Sequence, residues 1–127
     1  HGKSAAQLSL APLALYEDRM TATECKARFG QGTLAVPLLT EGKLRGIVTS
    51  DSLMNILSKK SISFNSATTA ISKEAVVVDY ETDLSCVDAL LKGEEAVYLA
   101  RKDQDQNLLA LYSVSRLDLL KLLVDTA

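Results

Sequence analysis

Two short stretches carry residue types from which a binding turn can be built. In Gly46-Ile47-Val48-Thr49-Ser50-Asp51-Ser52 an apolar stretch gives way to hydroxyls and a carboxylate, followed by Leu53, Met54, Ile56 and Leu57. Ser113-Val114-Ser115-Arg116-Leu117-Asp118 does the same ahead of Leu119, Leu120, Leu122 and Leu123. Both read as a buried strand turning directly into the N-terminus of a helix, where Ser, Thr and Asp side chains accept hydrogen bonds from unpaired backbone N–H groups. A hydroxyl at the cap and a carboxylate three residues later stand on one side of the helix start, beside a partial positive charge. That arrangement has two uses. It can cap the helix and nothing more, worth about 1 kcal/mol. It can also hold a sugar or phosphate, the carboxylate accepting hydrogen bonds from both ribose hydroxyls. Ser115 and Asp118 have this spacing. In the first turn Ser52 stands three residues after Thr49, and the carboxylate, Asp51, comes one position early. That places it about 100° away around the helix. Ser52 can make a single hydrogen bond there but not the bidentate ribose contact.

Other chemistry finds few residues to work with. The only histidine is His1, at the terminus, which argues against histidine-based catalysis or metal binding. Cys25 and Cys86 have neither metal-ligand nor C-x-x-C spacing and read as small buried helix residues, so a reduced, cytoplasmic protein is expected. A net charge of −2 and a pI near 5.4 leave no basic surplus for nucleic acid. No apolar run approaches the roughly 20 residues that span a bilayer, so no membrane partner is expected. With no nucleophile–base pair and no metal cluster, no catalytic site is expected in these 127 residues. The chain begins His-Gly-Lys-Ser, and the expectation is that it is a piece of something longer.

The elements that must position the two turns alternate between strand and helix. Leu13–Tyr16 is strand-like, Thr21–Phe29 helical with Gly30 and Gly32 as stop signals, and Leu34–Leu39 an apolar strand. Thr40-Glu41-Gly42-Lys43 is a hairpin turn, Leu44–Val48 the return strand, and Ser50–Ser58 a helix. Lys59–Thr69 reads as a linker. The pattern then recurs: strand Ala75–Asp79, helix Thr82–Leu91 ended by Gly93, strand Ala96–Ala100, a polar and solvated turn Arg101–Asn107, strand Leu108–Val114 and helix Leu117–Val124. Thr21–Cys25 echoes Thr82–Cys86, 61 positions on, with Thr as the cap and Cys at the same helical position. Val48–Leu57 echoes Val114–Leu123, 66 positions on. An internal duplication follows, with residues 1–66 holding a lead-in segment, the first repeat and the linker, and 67–127 the second repeat. Neither half is large enough to bury its sheet alone, so the halves should pack about a pseudo-twofold axis.

A β-α-β-β-α unit of this size, repeated once, resembles the CBS domain, two of which form a Bateman module. The match rests on Val36-Pro37-Leu38-Leu39, Gly42-Lys43-Leu44, Gly46-Ile47-Val48-Thr49 and Ser115-Arg116-Leu117-Asp118-Leu119-Leu120. The fold class implied is α/β (α+β), as two tandem repeats. A narrower resemblance is to the C-terminal regulatory region of cystathionine β-synthases, through Leu8–Tyr16, Thr68–Val78 and Ser115–Leu123.

What the resemblance implies is a regulatory module that binds an adenosyl small molecule between its repeats. In the family, Ser115, Leu117 and Asp118 would head one pocket, walled by Thr33, Leu34, Ala35 and Val36. Thr49 and Ser52 would head a second, weaker one, walled by Ala96, Val97, Tyr98 and Leu99. Tyr112 stands where the first repeat has Gly46, and could line a pocket or fill it. The narrower resemblance implies S-adenosylmethionine as ligand, and as partners the protein's own catalytic domain and a second copy in a homodimer. Pyridoxal phosphate, and in some animals haem, would belong to that catalytic domain. Two alternatives stay open: a ligand-free dimerisation module, and an AMP- or ATP-sensing pair from an unrelated host.

Overall fold

The computed structural model describes residues 4–59 and 65–126; His1 and residues 60–64 of the Lys59–Thr69 linker lie outside them. The first repeat comprises β1 (Tyr16–Glu17), α1 (Ala22–Gly30), β2 (Ala35–Thr40), β3 (Lys43–Thr49) and α2 (Ser50–Leu57). The second comprises β4 (Val77–Asp79), α3 (Leu84–Leu91), β5 (Ala96–Lys102), β6 (Leu108–Ser115) and α4 (Arg116–Thr126). Each repeat folds one three-stranded sheet, in the orders β1-β2-β3 and β4-β5-β6, with a parallel first pair and an antiparallel second. The duplication reaches the backbone: both hairpins carry a register shift near their turn, at Leu38/Leu39 and at Arg101/Lys102. The expected strand Leu13–Tyr16 starts later, at Tyr16, because Leu13 and Leu15 go instead into the core between the repeats.

Strand side chains alternate between faces, and here both faces are apolar. In the first sheet Val36, Leu38 and Val48 meet Cys25, Leu53, Ala67 and Ala70 on the helix side. In the second, Val97, Leu99, Tyr112 and Val114 meet Leu84, Val87 and Leu91. The opposite faces share one core: Ala35 and Ile47 from the first sheet pack with Tyr98, Ala100, Leu108 and Leu111 from the second. Side chains of the size of Ile47 and Leu111, each no more than 1% exposed, contribute about 1.5–3 kcal/mol apiece when removed from water. The two repeats therefore complete one another.

Neither helix-side core comes from one contiguous stretch. A 3-10 turn at Ala67–Ala70 buries Ala67 and Ala70 in the first core, and Ser72 N donates to Ile47 O at 2.8 Å. Its counterpart 62 positions earlier, Ala5–Leu8, buries Ala5 in the second core with Leu8 and Leu10 beside it. The same offset of 62 relates α1 to α3 and corrects the sequence echo there by one residue. α1 is capped by Thr21, which exchanges hydrogen bonds with Glu24, whereas α3 is capped by Asp83 rather than Thr82. Cys25 and Val87 therefore share a helical position, both fully buried. Cys86 is turned out to solvent, against its expected burial, because one residue is about 100° of helix.

The hairpin tips also meet. Glu41 and Gly42 both take positive φ, 51° and 83°, as a two-residue hairpin turn demands. Leu108 N donates to Gly42 O at 2.8 Å, and Lys43 Nζ reaches Asn107 Oδ1 at 3.4 Å. Asp103 holds the second turn by accepting from Asp105 N and Asn107 N, and the Asn107 bonds keep its carboxyl below the ordinary 3.8. The Arg101–Asn107 turn is thus docked at its Asn107 end, not solvated throughout.

Gly46 is required by a close approach. The Ile71 side chain lies over it, and a Cβ at this position would sit 2.9 Å from Ile71 Cδ1 and nearer still to Cγ2. In the second repeat Tyr112 fills the equivalent position and packs in the core against Tyr80, ring centroids 5.0 Å apart. Gly46→Ala is expected to destabilise the fold by about 1–3 kcal/mol through overpacking. Pairing it with Ile71→Ala should make the combined loss smaller than the sum of the two, as read by urea denaturation.

Candidate functional site

The two turns adopt the same backbone solution with different chemistry. Thr49 closes β3 and caps α2: Ser52 N donates to Thr49 Oγ1 at 3.0 Å, and Thr49 N donates to Ser52 Oγ at 2.8 Å. The Ser52 hydroxyl spends its own proton on Thr49 O at 3.0 Å. The Thr49 and Ser52 hydroxyls are thus both engaged within the turn, and Asp51 is exposed.

Ser115 closes β6 and α4 follows immediately. Ser115 N and Ser115 Oγ both donate to Asp118 Oδ2, at 2.8 and 3.0 Å, while Asp118 N donates to Ser115 Oγ at 3.3 Å. This is also a capping box. A carboxylate has two oxygens, however, and Oδ1 takes no hydrogen bond among the described residues. Asp118 is half-buried, so its free oxygen is an acceptor held in place by the cap.

Two cavities flank this second turn. One, of about 140 Å³, is lined by Asp118, Lys121 and Leu122 of α4 together with Gln7, Leu8 and Ser9. The other is a shallow, open cleft of about 510 Å³ lined by Leu91–Glu95 and Ser115–Leu117. Its lining holds Lys92 and Arg116 together with Glu94 and Glu95, so neither sign of charge is in excess. Leu117, expected at the site, lines this cleft and is 58% exposed.

The remaining expected residues are dispersed by strand alternation. Consecutive residues of a strand cannot all wall one cleft, since side chains point to opposite faces in turn; Ala96–Leu99 lie in β5, whereas only Ala35 and Val36 of the other run lie in β2. Ala35 turns into the shared core, while Val36 turns the other way and has no accessible surface. Leu34 is 73% exposed and Thr33 half-buried. In the second repeat Ala96 and Tyr98 face the shared core, and Val97 and Leu99 the helix side with no exposure. Burial, with the Glu95 charge second, pushes the Tyr98 phenol upward. None of these residues lines either cavity, nor do Thr49 and Ser52. Tyr112 fills rather than lines, its ring consumed by the second core.

Gln7, Leu8, Ser9, Lys121 and the Lys92–Glu95 segment are the neighbours that sequence reasoning missed. Lys121 follows Asp118 by one helical turn, a relation visible in the chain. Glu94 and Glu95 precede Ala96, which pairs with Ser115 across the hairpin. Gln7–Ser9 carries no local signal.

Among the described residues no cluster of His, Cys, Asp and Glu could hold a metal, and no helix is long and apolar enough to cross a membrane. The fold is that of solved CBS domain pairs. The pair of protein MJ0100, in complex with 5′-methylthioadenosine and S-adenosyl-L-methionine, is 14% identical over 100% of both chains, with a TM-score of 0.74. CBSX2 in complex with AMP is 16% identical over 98% of each chain, TM-score 0.73. CbpB in complex with c-di-AMP is 15% identical over 98% of this chain and 89% of that one, TM-score 0.68. No protein-family model matches the chain, and no curated protein sequence matches it.

The cap at Asp118 separates two contributions of one side chain. Asp118→Ala is expected to cost about 1 kcal/mol through lost capping. Asp118→Ser reproduces the hydroxyl box of the first repeat and should stay within about 0.5 kcal/mol of the parent chain in urea denaturation.

Proposed function

We propose that this chain is a regulatory module of a larger protein, and that it senses an adenosyl small molecule at the Ser115–Asp118 turn. The observation that carries this reading is the Asp118 carboxylate, fixed through Oδ2 and open at Oδ1 beside a cavity. Its first-repeat counterpart, Ser52, has no such vacant acceptor. Support also comes from the ligands of the similar pairs, all of which contain adenosine. The balanced charge of the neighbouring cleft suits S-adenosylmethionine, a zwitterion with an added sulfonium, better than a nucleotide carrying two or more negative charges. Such a module acts by population shift: the ligand favours one arrangement, and a differential affinity of about 1–3 kcal/mol changes activity severalfold or more.

The proposed host is cystathionine β-synthase, on the strength of Leu8–Tyr16, Thr68–Val78 and Ser115–Leu123. Its pyridoxal-phosphate catalytic domain, with haem in some members, would be the partner under control, in the cytoplasm. The proposed second partner is another copy of the chain. Leu117, Leu120 and Val124 follow one another at helical spacing on α4 and are 58, 53 and 66% exposed, and Met54 and Leu57 on α2 are 66 and 46% exposed. A ligand-free dimerisation module is the reading favoured if this surface functions alone.

Calorimetric titration of the 127-residue chain with S-adenosylmethionine, AMP and ATP tests the proposal. S-adenosylmethionine should bind best, and Asp118→Ser should lose at least tenfold in affinity while melting normally. Unchanged affinity would sink the site assignment. Separately, Leu120→Glu is expected to convert a dimer to a monomer in light scattering; an unchanged mass removes α4 from the interface.

A further inference from the structure

The cavity at Asp118 is closed on one side by chain from the far end of the sequence. Gln7, Leu8 and Ser9 line it opposite Asp118, Lys121 and Leu122. This lead-in segment is fastened on either side of the cavity. Ala5, 2% exposed, is sunk in the second core, and Leu13 N donates to Leu111 O at 2.8 Å. Between the fastenings Leu8 and Leu10 rest half-buried against the second core, and the backbone that carries them is held by little local structure. Ala5–Leu8 is a single 3-10 turn whose preceding residue, Ser4, makes no side-chain cap. Ser9 then reverses the chain in the left-handed region, at φ 51° and ψ 43°, which non-glycine residues reach only at a cost.

Size decides what this closure does. The space between this segment and helix α4 is about 140 Å³. Sites for small organic ligands run from about 300 Å³ upward. An adenosyl group does not fit inside this space with Gln7–Ser9 in their present place. We propose that Gln7–Ser9 is a strap that closes the Asp118 site and that an adenosyl ligand must displace. The inference rests on the reading of Asp118 as the ligand's anchor and adds the regulation of that site. Occupancy is converted into movement of the lead-in segment, while Ala5 and Leu13 limit that movement to the few residues between them.

The energetics of the closed strap then enter the binding constant. A side chain that favours the left-handed turn holds the strap shut; one that resists it lets the strap lift. Ser9→Gly should weaken binding of S-adenosylmethionine and 5′-methylthioadenosine about three- to tenfold, and Ser9→Val should tighten it by a similar factor. Calorimetry on the whole chain reads both variants. Hydrogen exchange on the parent chain gives a second reading that needs no substitution: amides of residues 5–10 should exchange faster with ligand bound. Opposite shifts and faster exchange support the strap. Equal affinities, or weaker binding by both variants, overturn it, the latter because Ser9 would then be a contact in a wall that stays closed. Slower exchange of residues 5–10 in the complex overturns it too. If the parent chain binds neither compound nor AMP, the adenosyl reading fails and the strap fails with it.

Discussion

A three-stranded sheet with apolar side chains on both faces has to be covered twice. Helices cover one face of each sheet here, and nothing within a repeat is left to cover the other. Ala35 and Ile47 on one side and Tyr98, Ala100 and Leu111 on the other therefore depend on the opposite repeat for removal from water. The exchanged 3-10 turns, the docked hairpin tips and the bond from Leu13 to Leu111 all accompany that pairing. So does the location of the candidate site. Asp118 sits at the start of α4, where the lead-in segment crosses to the second repeat on its way to the first.

At Asp118 a structural need and a binding capacity share one side chain. A helix start leaves N–H groups unpaired, and a hydroxyl three residues on can complete the capping box, as Ser52 does with Thr49. A carboxylate does the same with one oxygen and has another to spare. The difference between a closed cap and a poised acceptor is then one functional group on the same backbone. Preorganisation comes with it, since the cap that uses Oδ2 also fixes the direction of Oδ1.

Much of the architecture was legible in the chain. Hydrophobic period, turn residues and cap residues are local signals, and they placed the four α-helices and both hairpins to within a few residues, but not the 3-10 turns at Ala5–Leu8 and Ala67–Ala70, the second of which reads largely as linker. The duplication was legible too, but its phase was misread by one residue at the second repeat's first helix. There Thr82 looked like the cap, and Asp83, equally able to accept, took the role and carried Cys86 outward. The acceptor at Asp118 was visible from its spacing to Ser115 alone. The walls around it were not. Strand runs such as Ala96–Leu99 are apolar throughout, and which members face a cleft, a helix or the opposite repeat depends on what packs against each face.

By itself, then, the sequence determined the elements, their order, their doubling and the chemistry offered at each turn, because each follows from contacts within a few residues of chain. Only the tertiary structure decided what stands opposite Asp118. Gln7–Ser9 lies more than a hundred residues away, and no local preference pairs it with α4. It is brought there because Ala5 finds its apolar cover on the second repeat, a choice made by shape and burial across the whole molecule.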